Sequence, residues 1–513
     1  MLFNSYAFIF GFLPLTLAGF FLLARWRTTW AAGWLAVASL AFYGYWNVMY
    51  VPLLVLSIVC NFFIGTRVAQ AAARGKAWLT VGVTANLLLL GYYKYADFFV
   101  ANVNALYAPG TGYTLPGVML PLGISFFTFT QIAFLVDVYQ RKATEFRFVH
   151  YGLFVTYFPH LIAGPVLHHK EMMPQFAHAK TYCFEWENFA VGFTIFFIGL
   201  AKKVLIADSV GEYARPVFEA PGKGVALSAV DAWGGALAYT FQLYFDFSGY
   251  SDMAIGLSRM VGVKLPLNFA SPYKAASIID FWRCWHMTLS RFLRDYLYVP
   301  LGGNRKGVPR RYVNLLLTMV LGGLWHGANW TFVVWGALHG GYLLINHAWR
   351  SLKQRLGVTR DSGRITRFFA VALTFFAVVL AWVYFRSDSV AHANTIVSAM
   401  AGANGVTVPY RWLEKLGAAG GWLSGQGVVF QNTSVFGGGT QVNWLIACAL
   451  IVWLAPNTQQ LMRGYQPALG VADSGPGGLR WRLNGRWLAA VAALATFGIL
   501  SLSALSEFIY FQF

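Results

Sequence analysis

Two histidines occur inside one apolar, aromatic and glycine-rich stretch, residues 321–341, which reads LGGLWHGANWTFVVWGALHGG. His326 lies between Trp325 and Gly327, where the chain changes direction, and His339 follows later in the same stretch. An imidazole with a pKa near 6.5 can take a proton from a hydroxyl group, which is general-base catalysis. Because an ionisable side chain at membrane depth is costly, its presence is a functional hypothesis by default. The sequence therefore favours a catalytic role for His326; the alternative is a neutral histidine that joins two helices by hydrogen bonds.

A third histidine, His286, lies in the segment 277–297 beside Trp282, Arg283 and Trp285. This segment has helical spacing, with one apolar face and one charged face. It carries too many charges to span a membrane, so we expect one amphipathic helix at the cytoplasmic interface. His286 is a second catalytic candidate, and packing or snorkelling is the alternative. For His339 and His160 the alternatives to chemistry are helix packing and a structural cap.

Two carboxylates, Asp246 and Asp252, lie in the apolar helical segment 244–257. Paired carboxylates can perform acid–base chemistry, but no known soluble-enzyme motif surrounds these two. We expect them instead to pair with arginines and so hold the helix bundle together. The expected partners are Arg283, Arg291 and Arg294.

The composition identifies the kind of protein that holds these residues. The chain is 58% hydrophobic and 18% aromatic, and only 11% of it is charged, whereas soluble domains carry about 25% charged residues. We therefore predict an all-α polytopic membrane protein with a single integral domain over residues 1–513. The net charge of +19 comes from basic loops between apolar runs, which indicates membrane topology rather than nucleic-acid binding. The cysteines lack metal-ligand spacing, so neither a metal site nor a disulfide is expected; they are Cys60, Cys183, Cys284 and Cys448.

The apolar runs divide into N-terminal helices over 6–138, a catalytic core over 148–349 and C-terminal helices over 366–513. Basic loops alternate along the chain, so the positive-inside rule places them in the cytoplasm and both termini outside. The same rule places the glycine-rich loop 387–441 outside. The first run lacks a preceding cationic region, so we expect a retained membrane helix rather than a cleaved signal. Runs that meet or approach the length of a span lie near 6–24, 30–46, 51–66, 78–98, 116–138, 185–208, 230–256, 368–385, 442–461 and 487–506.

Three elements do not fit as full crossings: 148–166, 277–297, and the pair 311–325 and 330–349. The first contains FPHLIAGPV and should enter the membrane and return. In the pair, the first arm of 311–325 reaches only ~20 Å at ~1.5 Å per residue, less than a hydrocarbon core of ~30 Å. The turn that carries His326 should therefore lie inside the membrane, where protein or a water-filled cavity must cover its backbone.

No G-x-S-x-G, P-loop, Rossmann or H-E-x-x-H motif occurs in the chain, so any catalysis depends on histidine without these devices. The stretch WHGANWTFVVWGALHG resembles the signature of membrane-bound O-acyltransferases. Five further motifs resemble the bacterial alginate O-acetylation branch of that family: FDFSGYSDMAIGL, NFASPY, FWRCWHMTLSRFLRDYLYVPLGGNR, FPHLIAGPV and the terminal FIYFQF. One departure is Cys284, where that branch usually carries an arginine, so a salt bridge or phosphate contact at this position is in doubt.

The resemblance implies a ring of about 10–12 transmembrane helices around a central funnel, with re-entrant elements. It implies that His326 is the family histidine and makes His286 the candidate for the second functional position. The donor would be a cytoplasmic thioester, acetyl-CoA, with no permanently bound cofactor. The acceptor would lie outside the bacterial inner membrane, reached with the help of a periplasmic partner protein. The substrate-binding candidates are Trp325, Asn329, Asp246, Arg283, Arg294 and Arg305. Asn329, or backbone N–H groups near Gly327, would stabilise the oxyanion. The basic run Asn304-Arg305-Lys306, with Arg310 and Arg311, either reflects topology alone or helps to bind phosphates at the cytoplasmic mouth.

Two other classes of function stay open at this stage. A transporter or polysaccharide channel would use the histidines to relay protons, but it would be expected to contain an internal repeat with paired broken helices. The sequence contains no second copy of the WHG hairpin. A non-catalytic subunit of a secretion complex is the other alternative. The acceptor also stays open among alginate, acetylated cellulose, another exopolysaccharide, peptidoglycan and a serine of the partner protein.

Overall fold

The computed structural model describes residues 1–71, 74–107, 119–143, 147–357, 363–431, 435–471, 478–502 and 509. The protein is an all-α integral membrane protein, as predicted, because a chain in lipid must satisfy its backbone hydrogen bonds within each segment. The helices are α1 (Leu13–Ala24), α2 (Thr28–Gly44), α3 (Val51–Gln70), α4 (Gly75–Leu90), α5 (Ala96–Tyr107), α6 (Ile124–Tyr139), α7 (Phe148–Thr156), α8 (Phe158–Leu161), α9 (His169–Ala177), α10 (Trp186–Ala201), α11 (Asp208–Glu219), α12 (Ala229–Met260), α13 (Ile278–Cys284), α14 (Met287–Leu293), α15 (Gly307–His326), α16 (Trp330–Arg355), α17 (Arg364–Arg386), α18 (Val390–Met400), α19 (Arg411–Leu416), α20 (Ala418–Gly425), α21 (Gly438–Leu454), α22 (Thr458–Met462) and α23 (Gly485–Leu500).

Shorter and wider helical turns join or extend several of these helices. π-Helical turns occur at Ala7–Phe12, Gly91–Tyr95, Lys202–Ala207 and Arg294–Tyr298, and 3₁₀ turns at Val48–Tyr50, Ala179–Tyr182, Pro221–Lys223, Pro272–Lys274 and Arg463–Tyr465. Two short parallel strands, β1 (Val406–Val408) and β2 (Val428–Phe430), pair with Val406 opposite Val428.

Four helical segments among the described residues are long and apolar enough to cross a membrane by themselves. A bilayer core of about 30 Å requires about 20 apolar residues in a helix, and these four meet that requirement. The remaining predicted crossings stay predictions. The four segments are Ala7–Ala24, Val48–Gln70, Trp186–Glu219 and Arg364–Arg386.

The chain divides into two compact units, each built from separate parts of the sequence. The first comprises Met1–Ala201, Ser248–Asn268 and Pro456–Gln512. Within it, α3, α4 and α6 pack against one another, and α10 packs against α23. Asn86 donates a hydrogen bond of 2.6 Å to the Asn61 side-chain oxygen, which joins α4 to α3. Such polar contacts stabilise helix pairs in membranes, where the hydrophobic effect does not drive association.

The second unit comprises Lys202–Phe247 and Phe269–Ala455. Its principal helix pair is α15 with α16, and α16 also packs against α13 and α17. The segment 387–441, predicted as a loop, contains α18, α19, α20 and the two strands in its described part. The connection is thus folded into short elements, and its place outside the membrane stays a prediction.

Two sequence expectations about the second unit are wrong. The segment 277–297 is not one helix, because α13 ends at Cys284 and α14 begins at Met287. The first arm of the hairpin is not short: α15 contains 20 residues and includes His326. At 1.5 Å per residue it extends for about 30 Å, the thickness of a hydrocarbon core. The turn that follows His326 therefore lies at the far end of a helix of membrane length.

Candidate active site

The hairpin of α15 and α16 places His326 at its turn, where α15 ends and a connection of residues 327–329 leads into α16. The two helices approach each other closely at Gly323 and Gly336. A Cβ atom added to Gly323 would overlap the Phe332 carbonyl oxygen, and one added to Gly336 would overlap the Met319 carbonyl oxygen. Because the contact joins backbone to backbone, it fixes the two arms relative to each other and fixes the position of His326. The two glycines thus allow a close approach of the helix backbones.

Asn329 caps the start of α16. Its side-chain oxygen accepts a hydrogen bond of 3.0 Å from the Thr331 backbone N–H, and its amide nitrogen donates one of 2.9 Å to the Asp388 carbonyl oxygen. An N-cap of this kind satisfies one of the free N–H groups at a helix start. Asn329 therefore has a clear structural role at the turn, and its role as an oxyanion donor stays a prediction.

The His326 ring lies in an aromatic cage and is only 7% exposed. The ring centroids of Trp325, Trp335 and Phe385 lie 5.0, 5.2 and 5.2 Å from its own. Trp335 and Phe385 meet the imidazole in edge-to-face geometry, which aromatic pairs prefer. The cage holds the imidazole in a fixed orientation and excludes most water from it. Trp325, predicted to bind substrate, is part of the cage and is itself buried.

His286 occupies the break between α13 and α14 and has a left-handed backbone, with φ 41° and ψ 53°. Residues other than glycine adopt this conformation in only a few per cent of cases, because Cβ approaches the neighbouring carbonyl oxygen, although asparagine, aspartate and histidine adopt it more often than the rest. The strained residue turns its side chain into the protein interior, where it is 1% exposed. Its ring centroid lies 6.5 Å from that of His326 and 4.8 Å from that of Phe247. The structure thus brings the two predicted catalytic histidines together.

His339 lies on α16, is fully buried, and contacts Trp335 of the cage and also Trp382. Trp282 on α13 donates a hydrogen bond of 3.3 Å from its indole Nε1 to Nδ1 of His339. Because an indole nitrogen only donates, this bond places the His339 proton on Nε2. Trp282 also contacts Trp335, with a centroid distance of 5.8 Å. His339 therefore positions Trp282 and belongs to the packing around His326.

An open cavity of about 700 Å³ lies against Trp282 on the side of α14 and α15. Its wall combines apolar side chains with four arginines, and its volume falls within the range of small-molecule sites. Two ring contacts connect the cavity to His326. Trp282, in the cavity wall, packs against Trp335, and Trp335 packs against His326. The lining residues are Ile279, Trp282, Arg283, Met287, Ser290, Arg291, Leu293, Arg294, Tyr298, Asn304, Arg311, Leu315, Thr318, Met319, Leu343 and His347.

Two of the three arginines predicted to bind substrate, Arg283 and Arg294, line this cavity. Both are largely exposed and pair with a nearby acid, Asp280 at 3.2 Å and Asp295 at 2.7 Å. The third, Arg305, is exposed on the following turn and is not among the lining residues, although its neighbour Asn304 is.

Two other arginines, Arg291 and Arg311, also line the cavity. Arg311 belongs to the basic run that was weighed as a phosphate contact, whereas Arg291 was expected only to pair with a buried carboxylate. The signal for Arg291 was its place in the same basic stretch as Arg283 and Arg294.

Asp246 forms an ion pair of 2.8 Å with Lys203, a residue that the sequence analysis did not single out. Lys203 also binds Asp208 at 2.7 Å, and its side chain is 4% exposed. Two of the arginines expected as partners, Arg283 and Arg294, bind other acids. The available signal was a lysine within the predicted span 185–208, since a charge at membrane depth needs a partner.

In the other unit, Asp252 accepts hydrogen bonds from Thr458 and Gln459. The expected arginine partners are therefore wrong for both carboxylates. Asp246 pairs with a lysine, and Asp252 accepts hydrogen bonds from uncharged side chains.

Comparison with known proteins identifies the class to which this fold and site belong. The profile of MBOAT, the membrane-bound O-acyltransferase family, matches residues 121–386. The peptidoglycan O-acetyltransferase of Helicobacter pylori is 44% identical over 437 residues, which cover 80% of this chain and 81% of that protein. A probable alginate O-acetylase of Azotobacter vinelandii is 44% identical over 407 residues, 78% of each chain. The teichoic acid D-alanyltransferase of Streptococcus thermophilus is 27% identical over 286 residues, 52% of this chain and 68% of that one.

The chain belongs to the membrane-bound O-acyltransferase family. It is a multi-pass membrane protein and an O-acyltransferase, which confirms the resemblance drawn from the sequence motifs. The matched region contains both clustered histidines and the arginine-lined cavity. The higher identity to the O-acetyltransferases than to the D-alanyltransferase agrees with the branch that the motifs indicated.

Proposed function

We propose that the protein transfers an acetyl group from cytoplasmic acetyl-CoA, across the bacterial inner membrane, to a hydroxyl group on the other side. The observation that carries this proposal is the path of contacts from the arginine-lined cavity, through Trp282 and Trp335, to the caged His326. The cavity would hold the thioester donor, and the histidine would act on the acceptor. This arrangement requires the arginine-lined cavity to face the cytoplasm; the basic loops predict the same topology, with both termini periplasmic.

The chemistry of the cavity suits a coenzyme A thioester. Four arginines offer planar guanidinium groups, which bind phosphate groups through paired hydrogen bonds. The apolar part of the wall, including Met287, Leu315 and Met319, suits the less polar arm that carries the thioester. The phosphates would therefore lie at the arginines, and the thioester would point toward Trp282.

In the proposed reaction the acceptor oxygen attacks the thioester carbonyl carbon while His326 takes the hydroxyl proton. The tetrahedral intermediate then collapses, the carbon–sulfur bond breaks, and the departing thiolate receives a proton. One imidazole suffices for this base catalysis, which contributes roughly 10²–10⁴ to the rate. The ring centroid of His286 lies 6.5 Å from that of His326, so His286 would orient the acceptor or share the proton.

The acceptor of the acetyl group is proposed for this chain from its similarity to the relatives named above. Their names describe acetylation of peptidoglycan and of alginate, both of which offer sugar hydroxyl groups. We propose an exopolysaccharide such as alginate or cellulose, with transfer completed by a periplasmic partner protein whose serine accepts the acetyl group first.

Consumption of acetyl-CoA by the purified protein in detergent tests the proposal. Wild type, His326→Ala and the control His392→Ala, a histidine on α18 away from the cavity, are compared in the presence of a hydroxyl acceptor. We expect release of free coenzyme A from wild type and from the control, and a rate about 10²–10⁴-fold lower from His326→Ala. Equal rates from wild type and His326→Ala would remove His326 from the mechanism. Polymer transport without release of coenzyme A would favour a channel.

A further inference from the structure

The first unit contains a second open cavity, of about 490 Å³, that the proposed acetyl transfer does not use. Its wall carries charges of both signs: Arg259, Lys180 and Lys264 against Glu185 and Glu187. The wall is firmly built, because the Gln175 side chain accepts a hydrogen bond of 2.8 Å from the Lys264 backbone N–H and donates one of 3.0 Å to its carbonyl oxygen.

Arg259 is the principal feature of this cavity, which we call the mixed-charge cavity. Its side chain is only 8% exposed, and its contact with Glu187 is 4.0 Å, too long for a hydrogen bond. Its one hydrogen bond to a described residue, with the Tyr465 carbonyl oxygen, is long at 3.4 Å, and Nε has no partner among the described residues. A buried guanidinium needs more than this, because an unsatisfied charged donor is costly. The site therefore requires an additional anionic group.

Glu187, on the same cavity wall, offers a carboxylate to a positively charged group. Its carboxylate is 56% exposed, and its only ion pair among the described residues is the long one with Arg259. On the positive side, burial and the nearby Arg259 lower the pKa of Lys264. A bound anion would offset both effects. The cavity thus offers a site for a negative group at Arg259 and Lys264, and beside it a site for a positive group at Glu187.

Exposed aromatic residues indicate where this cavity lies relative to the lipid. Phe184 and Trp186, on either side of Glu185, are 44% and 77% exposed. Exposed aromatic side chains of this kind are typical of the level of the lipid headgroups in membrane proteins. Arg259 also lies just beyond the apolar run 230–256, at the end of α12. Both observations place the cavity at the membrane interface.

We propose that the mixed-charge cavity binds the headgroup of a zwitterionic phospholipid with a primary amine, phosphatidylethanolamine. The phosphate would accept hydrogen bonds from Arg259 and Lys264, and the ammonium group would donate to Glu187. Two short charge-assisted contacts would thus replace one long ion pair. Phosphatidylglycerol offers no cation to Glu187, and the quaternary ammonium of phosphatidylcholine has no N–H to donate.

Lipid binding to the full chain in detergent, measured by native mass spectrometry, tests the proposal with three phospholipids of identical acyl chains. We expect phosphatidylethanolamine to bind more tightly than phosphatidylglycerol or phosphatidylcholine. Arg259→Gln should weaken its binding about tenfold or more, since charge-assisted hydrogen bonds are lost. Glu187→Gln should weaken the binding of phosphatidylethanolamine and leave the binding of phosphatidylglycerol unchanged. The matched controls Arg215→Gln and Glu212→Gln alter an exposed ion pair on α11 and should change neither.

Equal affinity of wild type for the three lipids, or no effect of Glu187→Gln, would overturn the assignment. Tighter binding of phosphatidylglycerol would make the cavity an anionic-lipid site and overturn it as well. Inorganic phosphate and phosphoethanolamine form a second arm of the experiment. If either fills the site at the concentration at which the lipid binds, the ligand is a soluble phosphate and not a lipid. Glu187 is exposed, so its substitution tests the proposal even where Arg259→Gln does not fold.

Discussion

The close contact between α15 and α16 predicts a large difference between two glycine-to-alanine substitutions on one helix. Gly336 and Gly341 both belong to α16. A Cβ atom at Gly336 would overlap the Met319 carbonyl oxygen and lie 2.9 Å from the Val320 Cα, whereas at Gly341 it would meet nothing within 4 Å. The contacted atoms at Gly336 are backbone atoms, so no side-chain rotation can relieve the overlap.

The expected size of the difference follows from two opposing effects. Alanine stabilises a helix by about 0.5–1 kcal/mol relative to glycine, and this gain applies to both variants. Insertion of an extra methyl group into a packed contact costs typically about 1–3 kcal/mol. We expect the upper half of that range at Gly336 because the obstacle is backbone. Gly336→Ala should therefore be less stable than wild type by roughly 1–2 kcal/mol, while Gly341→Ala should be at least as stable as wild type.

Thermal melting and acetyl-CoA turnover of the two variants in detergent measure both consequences. Gly336→Ala should melt several degrees lower than Gly341→Ala. Because α15 carries His326 at its end, separation of the helices should also displace the imidazole, and a shift of about 1 Å can reduce turnover ~10²-fold. Gly341→Ala is the matched control. Identical melting temperatures and turnover in the two variants would refute the argument that this backbone contact positions the site.

Three further predictions test the site. His286→Gly should fold at least as well as His286→Ala, because the left-handed backbone costs an alanine about 1–2 kcal/mol, and both should lose turnover; wild-type turnover in the glycine variant would exclude a catalytic imidazole. Lys203→Met should lower the free energy of unfolding by about 3–5 kcal/mol, since it leaves buried Asp246 without its cation. In thermal melting, the double variant Lys203→Met with Asp246→Leu should be more stable than Lys203→Met alone, and the exposed control Lys223→Met should differ little from wild type. Arg294→Gln should raise KM for acetyl-CoA by up to about fivefold at similar kcat, because its guanidinium is 63% exposed and screened; a KM equal to that of Arg215→Gln would remove Arg294 from donor binding.

The sequence alone predicted the features that depend on periodicity and composition. The all-α membrane fold, the turn after His326 and the family all follow from apolar runs and from short motifs of unusual residues. The closeness of Gly323 to α16 also follows, because a glycine-rich helix face predicts close packing.

Features that depend on contacts between distant segments were less accessible. The helical spacing of 277–297 continues through position 286, so the pattern gives no sign of the break there. A left-handed backbone is most common at glycine, and a histidine within a continuous helical pattern gives only a weak sign of it. Similarly, the partner of Asp246 lies in another helix, and an apolar run shows only that Lys203 needs a carboxylate, not which one.

The hydrogen bond from Asn329 to the Asp388 carbonyl has a mechanical consequence. The turn that follows His326 is anchored to the chain that leaves α17, at the start of the segment predicted to face outward. A protein that docks on this segment and pulls Asp388 must either break that bond or drag the turn with it. Contact on the outer face would then reach, through a single amide, the start of α16 and the turn that follows His326.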